Sequence, residues 1–184
     1  TRIVYVGSLA GVVPGGPGHS HQAVRDIAAL AAIPGMLMLE PCCEEEVAPI
    51  VEYCVNRHAG CSYIRLVSLP WEIPYRLPEH YRLEPGRGVT LREGRDVLLI
   101  GYGPVMLSSA FRAADLLEAQ GGPSVEVVNL PWLNCLDGPW LAALAGRFRY
   151  VFTLDNHYLM GGQGERVRAA LLEHPPRAMP KLCG

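Results

Sequence analysis

The 184-residue chain reads as α/β: two open, mostly parallel sheets flanked by helices, the first of them incomplete. Three observations predict this. Short apolar, β-branched runs alternate with segments of helical period, the rhythm of parallel βαβ units with right-handed crossovers. That rhythm fails once, from Ser68 to Gly94, where Pro70, Pro74, Pro78 and Pro85 are interleaved with Trp71, Tyr75 and Tyr81. It then restarts, and the two portions are not repeats of each other. The reading is therefore a first module over 1–68, a proline-rich linker over 69–93 and a second module over 94–184.

Arg2 to Val6 is β-branched and apolar, a buried strand that leaves into a Gly/Pro-rich loop from Gly7 to Gly18. Ser20 is placed to cap a helix from His21 to about Ala32, whose Val24, Ile27, Ala28, Leu30 and Ala31 form an apolar stripe. Pro34-Gly35 ends it. Met36 to Leu39 is a short strand, and Glu44 to Asn56 a second helix with acids in its first turn, where the helix dipole favours them. Pro49 should kink that helix or delay its start. Ser62 to Val67 is the next strand. This first sheet has little cover on one face. The linker is low in Gly and Ser, which predicts an ordered segment pressed on a surface. Beyond it come strand Asp96 to Tyr102, helix Met106 to Ala119, strand Ser124 to Leu130, helix Trp140 to Phe148, strand Tyr150 to Leu154, helix Gly164 to Glu173 and a last short strand near Ala178 to Leu182.

Composition removes several classes of function. Sixteen Lys+Arg against 18 Asp+Glu give a net charge of -2, without the positive field of a nucleic-acid or acidic-membrane binder. The longest apolar runs fall far short of the roughly 20 residues of a bilayer span. Thr1 to Val6 has neither the charged start nor the cleavage site of a secretory signal, so the expected compartment is the cytoplasm and the six cysteines are expected as thiols. Cys54, His58 and Cys61, with Cys42 or Cys43, have a loosely zinc-like spacing but no paired CxxC. The P-loop and nucleophile-elbow motifs are absent. Gly101-Tyr102-Gly103 lacks the third glycine of a dinucleotide fingerprint, which leaves a tight strand-to-helix turn as its reading.

The chemically richest segment is Pro14-Gly15-Gly16-Pro17-Gly18-His19-Ser20-His21-Gln22. It sets two imidazoles and a hydroxyl at the carboxyl end of a strand and beside a helix start, a position that suits anions and polar ligands. Substrate or cofactor contact, a capping role and a metal clamp are all open to it.

Gly16 to Gln22, followed by Asp26-Ile27-Ala28, Ile33-Pro34-Gly35-Met36, Glu40-Pro41 and Tyr63-Ile64-Arg65-Leu66, resembles the pyrimidine-module signature of transketolase-like, thiamine-diphosphate-dependent enzymes. Leu91 to Val97 with Gly101-Tyr102-Gly103, and Thr153 to His157 with Gly161-Gly162-Gln163-Gly164, resemble the C-terminal module of the same family. The match is collinear over nearly the whole chain. The resemblance implies a diphosphate-binding module or subunit as partner and a cofactor, thiamine diphosphate with Mg2+, lying between that module and the pyrimidine module, usually across a homodimer interface. The main cofactor and metal ligands of the family have no counterpart here, so the chain reads as a C-terminal section that is inactive alone.

Residue by residue, the resemblance implies that the family histidine contacting the donor is His21 or His19. Counting from Gln22 selects His21 and counting from Pro17 selects His19; a helix continuing after Gln22 favours His21. Ser20 joins them as a substrate contact. Arg65 is similar to a family arginine that binds substrate phosphate, with a buried salt bridge as its alternative. Gly16 stands where the family has an acid, which weakens the expectation of a phosphorylated sugar. The implied reaction is transfer of a two-carbon ketol or related acyl-anion unit from a ketose or 2-oxo acid. The alternatives are a β-type subunit of a 2-oxo acid dehydrogenase and a non-catalytic partner module. Asp155, Asn156 and His157 are read as interface or structural polar groups.

Overall fold

In the computed structural model, which describes residues 2–16 and 18–184, the chain forms two separate sheets. Thr1 and Pro17, the latter within the glycine-proline run, lie outside the described residues. The first sheet is three-stranded and parallel, in the order β1 (Val4–Gly7), β3 (Ser62–Arg65), β2 (Leu37–Leu39). Helix α1 (Asp26–Ala31) follows β1, and α2 (Glu44–Glu52) joins β2 to β3. At the edge, β1 leaves Tyr5 and Val6 exposed, in keeping with the thin cover expected for this sheet.

The second sheet has five strands in the order β4 (Val89–Arg92), β6 (Val125–Asn129), β5 (Val97–Gly101), β7 (Tyr150–Leu154), β8 (Lys181–Cys183). Every pairing is parallel except β4 with β6. The period of two along β5 sorts the helices. Leu98 and Ile100 face α4 (Gly138–Ala145) and α5 (Gln163–Glu173), while Leu99 faces α3 (Gly103–Ala119). Helices thus cover both faces.

Three elements differ from the sequence expectation. The segment expected to be wholly linker contains β4, which completes the second sheet as an antiparallel edge. A four-residue strand in a proline-rich setting has too short an alternation to announce itself; its partner strand makes it a strand. Helix α1 starts at Asp26 rather than His21. Residues before it are held otherwise, because Ala23 bridges to Ala10 and Gly11 across the loop. Pro49 neither stops nor delays α2, which runs through it and then widens into a π-helical turn over Tyr53–Arg57, closed by the His58 amide on the Tyr53 carbonyl. A proline removes one helical donor, and the ladder re-forms one residue wider.

One core runs through both modules. Leu37, Leu39 and Ile64 of the first sheet pack in the same cluster as Leu98, Ile100, Val128 and Val151 of the second, with Trp132 among them and fully buried. The Trp132 ring meets Tyr53 edge-on at 5.0 Å between centroids. The connector is ordered by its aromatic residues: Tyr75 donates to the Cys42 carbonyl at 2.8 Å, Tyr81 donates to the buried Glu46 carboxylate, and Trp71 Nε1 donates to Ser108 at 3.2 Å.

A histidine loop over a buried ion triad

The loop after β1 carries the residues that the sequence singled out. Its base is closed by its own backbone: the Ala10 amide donates to the Leu66 carbonyl and the Gly11 amide to the Ala23 carbonyl, both at 3.0 Å. Gln22 Nε2 adds a bond to the Val12 carbonyl at 2.7 Å. Above this base His19, Ser20 and His21 are all exposed, on a 3-10 turn over Gly18–Ser20 and the residue that follows it. Ser20 Oγ and His21 Nδ1 lie 2.9 Å apart, and the His21 amide donates to the Gly18 carbonyl. Ser20 therefore does not cap α1; five residues separate it from Asp26, the first residue of that helix. The continuous helix that favoured His21 over His19 is not present, and both imidazoles remain open to solvent.

Arg65 lies beneath the loop at the carboxyl end of β3 and is wholly buried. Its Nε donates to Asp26 Oδ2 at 2.8 Å, its Nη1 to Glu40 Oε2, and its Nη2 to the carbonyls of Ala23 at 2.8 Å and Asn156 at 2.7 Å. This corrects the expectation of a phosphate-binding arginine: the fork is spent on protein acceptors, the arrangement of a buried ion pair and not of an open anion site. Tyr63 also donates to Asp26 Oδ2, at 2.9 Å. Burial pushes the Glu40 carboxyl up to about 7, against the pull of Arg65. Asp26 Oδ1 and Glu40 Oε1 are buried without a hydrogen-bond partner.

The second module closes this cluster from above the sheet ends. Tyr102 follows β5 and is fully buried; its hydroxyl donates to Asp155 Oδ1 at 3.0 Å and accepts the Asn156 amide at 3.1 Å. Gly103, with φ of 67°, opens α3 directly against Glu40, where a Cβ would sit 1.9 Å from Oε1. The Gly-Tyr-Gly turn is thus built for close approach between modules. Asp155 accepts the amides of Gln163 and Gly164, the first residues of α5. His157 Nε2 receives the Ala28 amide at 3.4 Å, a long bond that supplies α1 with the cap its own Arg25 does not provide. Asp155, Asn156 and His157 are structural groups at the junction.

Sequence reasoning gave no role to Glu40, Asp26 or Tyr102 in this cluster. A signal was available. Glu40 ends an apolar run and Arg65 interrupts one, and charged residues inside buried strands require a partner of opposite sign.

Among the described residues, no group of three or more His, Cys, Asp or Glu is placed to share a metal ion. Cys54 is buried, and His58 Nε2 instead lies 3.2 Å from the Gly35 carbonyl. All six cysteines are free of disulfides. An open cleft of about 890 Å³ lies at the carboxyl ends of β2 and β3, with Glu44, Glu45, Ser68 and Trp71 on its walls; His19 and His21 do not line it. The described residues therefore do not by themselves fit a diphosphate cofactor with its metal. No helix is long and apolar enough to cross a membrane.

A parallel half-sheet and a five-stranded sheet with one antiparallel edge, locked by a buried polar junction, define a two-module α/β chain. The chain belongs to the transketolase family: residues 1–68 match the transketolase pyrimidine binding domain and residues 86–184 the transketolase C-terminal domain. The second match begins ahead of β4, which places that strand with the C-terminal sheet. An uncharacterised transketolase family protein of Sinorhizobium fredii is 37% identical over 164 residues, covering 88% of this chain and 46% of that protein. A 1-deoxy-D-xylulose-5-phosphate synthase of Crocosphaera subtropica is 35% identical over 175 residues, 90% of this chain and 26% of the synthase. Among solved structures, a split gene transketolase described as an inactive beta4 tetramer superposes with a TM-score of 0.79 at 31% identity, over 98% of this chain and 56% of that one. A transketolase variant from Pichia stipitis, at 23% identity and a TM-score of 0.58, shares the fold. The chain thus spans about half or less of the length of the curated relatives it matches.

Proposed function

We propose that this chain is the C-terminal section of a thiamine-diphosphate-dependent transferase that moves a two-carbon ketol or related acyl-anion unit, and that it is inactive without a diphosphate-binding module. The observation that carries this reading is the histidine loop: two solvent-open imidazoles, His19 and His21, are raised at the carboxyl end of a parallel sheet on an ion triad whose Arg65 and Glu40 are fully buried. A loop with no catalytic task has no need of so costly a support. His21, the family histidine when the motif is counted from Gln22, is assigned as the donor-contacting group, with His19 and Ser20 beside it. The acyl-anion chemistry would come from a cofactor held by the diphosphate-binding partner; this chain would contribute hydrogen-bonding and proton-transfer groups to the substrate side. With Arg65 spent on Asp26, Glu40 and backbone carbonyls, the donor has no phosphate anchor from that residue, which favours an unphosphorylated ketose or 2-oxo acid. A diphosphate-binding subunit and a second copy of this section are the partners proposed, in line with the split chain of the structural relative, and the compartment proposed is the cytoplasm.

The test is turnover by the chain joined or mixed with its diphosphate-binding module, in the presence of thiamine diphosphate and Mg2+. The chain alone should show none; measurable turnover by it alone would refute the reading. In the assembled enzyme His21→Ala should lower the rate by roughly 10² to 10⁴ with the fold intact. Loss in His19→Ala with His21→Ala neutral reverses the assignment, and wild-type rates in both with every donor tried remove the loop from catalysis.

A further inference from the structure

We infer that Asn156, a residue of the C-terminal module, is a positioning residue for the histidine loop of the pyrimidine module. The base of the loop has two sides, Gly11–Val12 and Ala23–Val24, and a single short segment of the other module grips both. Asn156 Oδ1 accepts the Val12 amide at 3.0 Å. On the opposite side the Tyr158 amide donates to the Val24 carbonyl at 2.8 Å. Between them the Asn156 carbonyl and the Ala23 carbonyl share Nη2 of Arg65.

The fit at the Asn156 side chain is specific. Gly11 has φ of 79°, and a Cβ there would fall 1.9 Å from Asn156 Nδ2. The carboxamide therefore lies flat against a glycine that no other residue could replace without moving it. Only the oxygen end can face Val12, because an amide N–H needs an acceptor. Asn156 is itself 2% exposed, and its own amide is fixed by the Tyr102 hydroxyl at 3.1 Å. The C-terminal module thus sets the height and direction of the loop through an acceptor whose own position is fixed by the Tyr102 hydroxyl. Residues 13–22 extend beyond this grip and carry His19 and His21.

The catalytic consequence rests on the substrate-facing reading of the loop, but the positioning itself does not. Backbone hydrogen exchange, followed peptide by peptide in the intact chain, measures it without cofactor or partner. In Asn156→Ala, exchange over residues 11–25 should rise at least about tenfold, as expected when a local closing bond is lost, while β5 exchanges as in wild type. Asn156→Asp keeps an oxygen toward Val12 and should restore most of the protection. Unchanged exchange over 11–25 in folded Asn156→Ala overturns the inference. An equal rise in β5 overturns it too, since Asn156 would then hold the whole molecule and not the loop. If Asn156→Asp loosens the loop as much as Asn156→Ala, the oxygen is not the positioning group. In an assembled enzyme that turns over, a local loss of loop protection should appear as a fall in kcat with the fold intact. Should no turnover be found, the exchange result still stands by itself.

Discussion

Glu40 shows what one buried charge does to the pH response of the whole chain. Its carboxyl, ordinarily near 4.5, is pushed up to about 7 by burial, which outweighs Arg65. Between those values the folded chain keeps a proton that the unfolded chain has released. Stability linked to Glu40 is therefore full at or below pH about 4.5, falls as the pH rises, and levels off above about 7. Denaturant unfolding across pH 5 to 8 should show this decline in wild type, and Glu40→Gln should remove its share of it. Parallel profiles in the two proteins would show that Glu40 is ionised throughout. Glu46 is a second buried acid, raised by burial and held down in part by donors from Tyr81, the Cys42 amide and Asn129. Tyr81→Phe takes away one donor and should cost about 1–3 kcal/mol in urea unfolding. An unchanged midpoint would mean that water replaces the hydroxyl without loss.

At the level of elements, the connector and α1 are the instructive cases. The aromatic residues between the prolines were correctly read as pressing the connector on a surface, and Tyr75, Tyr81 and Trp71 each have a partner there. The strand within it was not legible, because a four-residue edge strand takes its identity from β6 and not from its own period. Helix α1 is legible as an apolar stripe, but its start is not. The start is set where the loop backbone stops pairing with Ala10 and Gly11 and where His157 can reach the Ala28 amide, and both are events between distant segments.

Across the whole molecule, the shared core and the polar junction argue that the two modules unfold together. Trp132 is fully buried in a cluster that draws side chains from both sheets, so its loss leaves a cavity that neither module can close alone. Trp132→Ala should cost about 3–5 kcal/mol and should loosen β3 and β5 to the same degree in hydrogen exchange. Wild-type urea unfolding should be a single transition when followed by circular dichroism and by exchange of either sheet. Two resolved transitions, one per sheet, would refute this.

The two-sheet α/β class and the family were readable from the chain, because they rest on local period, local turn residues and collinear motifs. The role of Arg65 was not. An arginine at a strand end has the same local signature whether it meets a ligand or a carboxylate, and only the arrival of Glu40, Asp26 and Asn156 from three other segments settles which. The same holds for Gly103 and Asn156. Their identities are local, but the neighbours that demand them, Glu40 and Gly11, lie far away along the chain and are brought close by the packing of one sheet against the other.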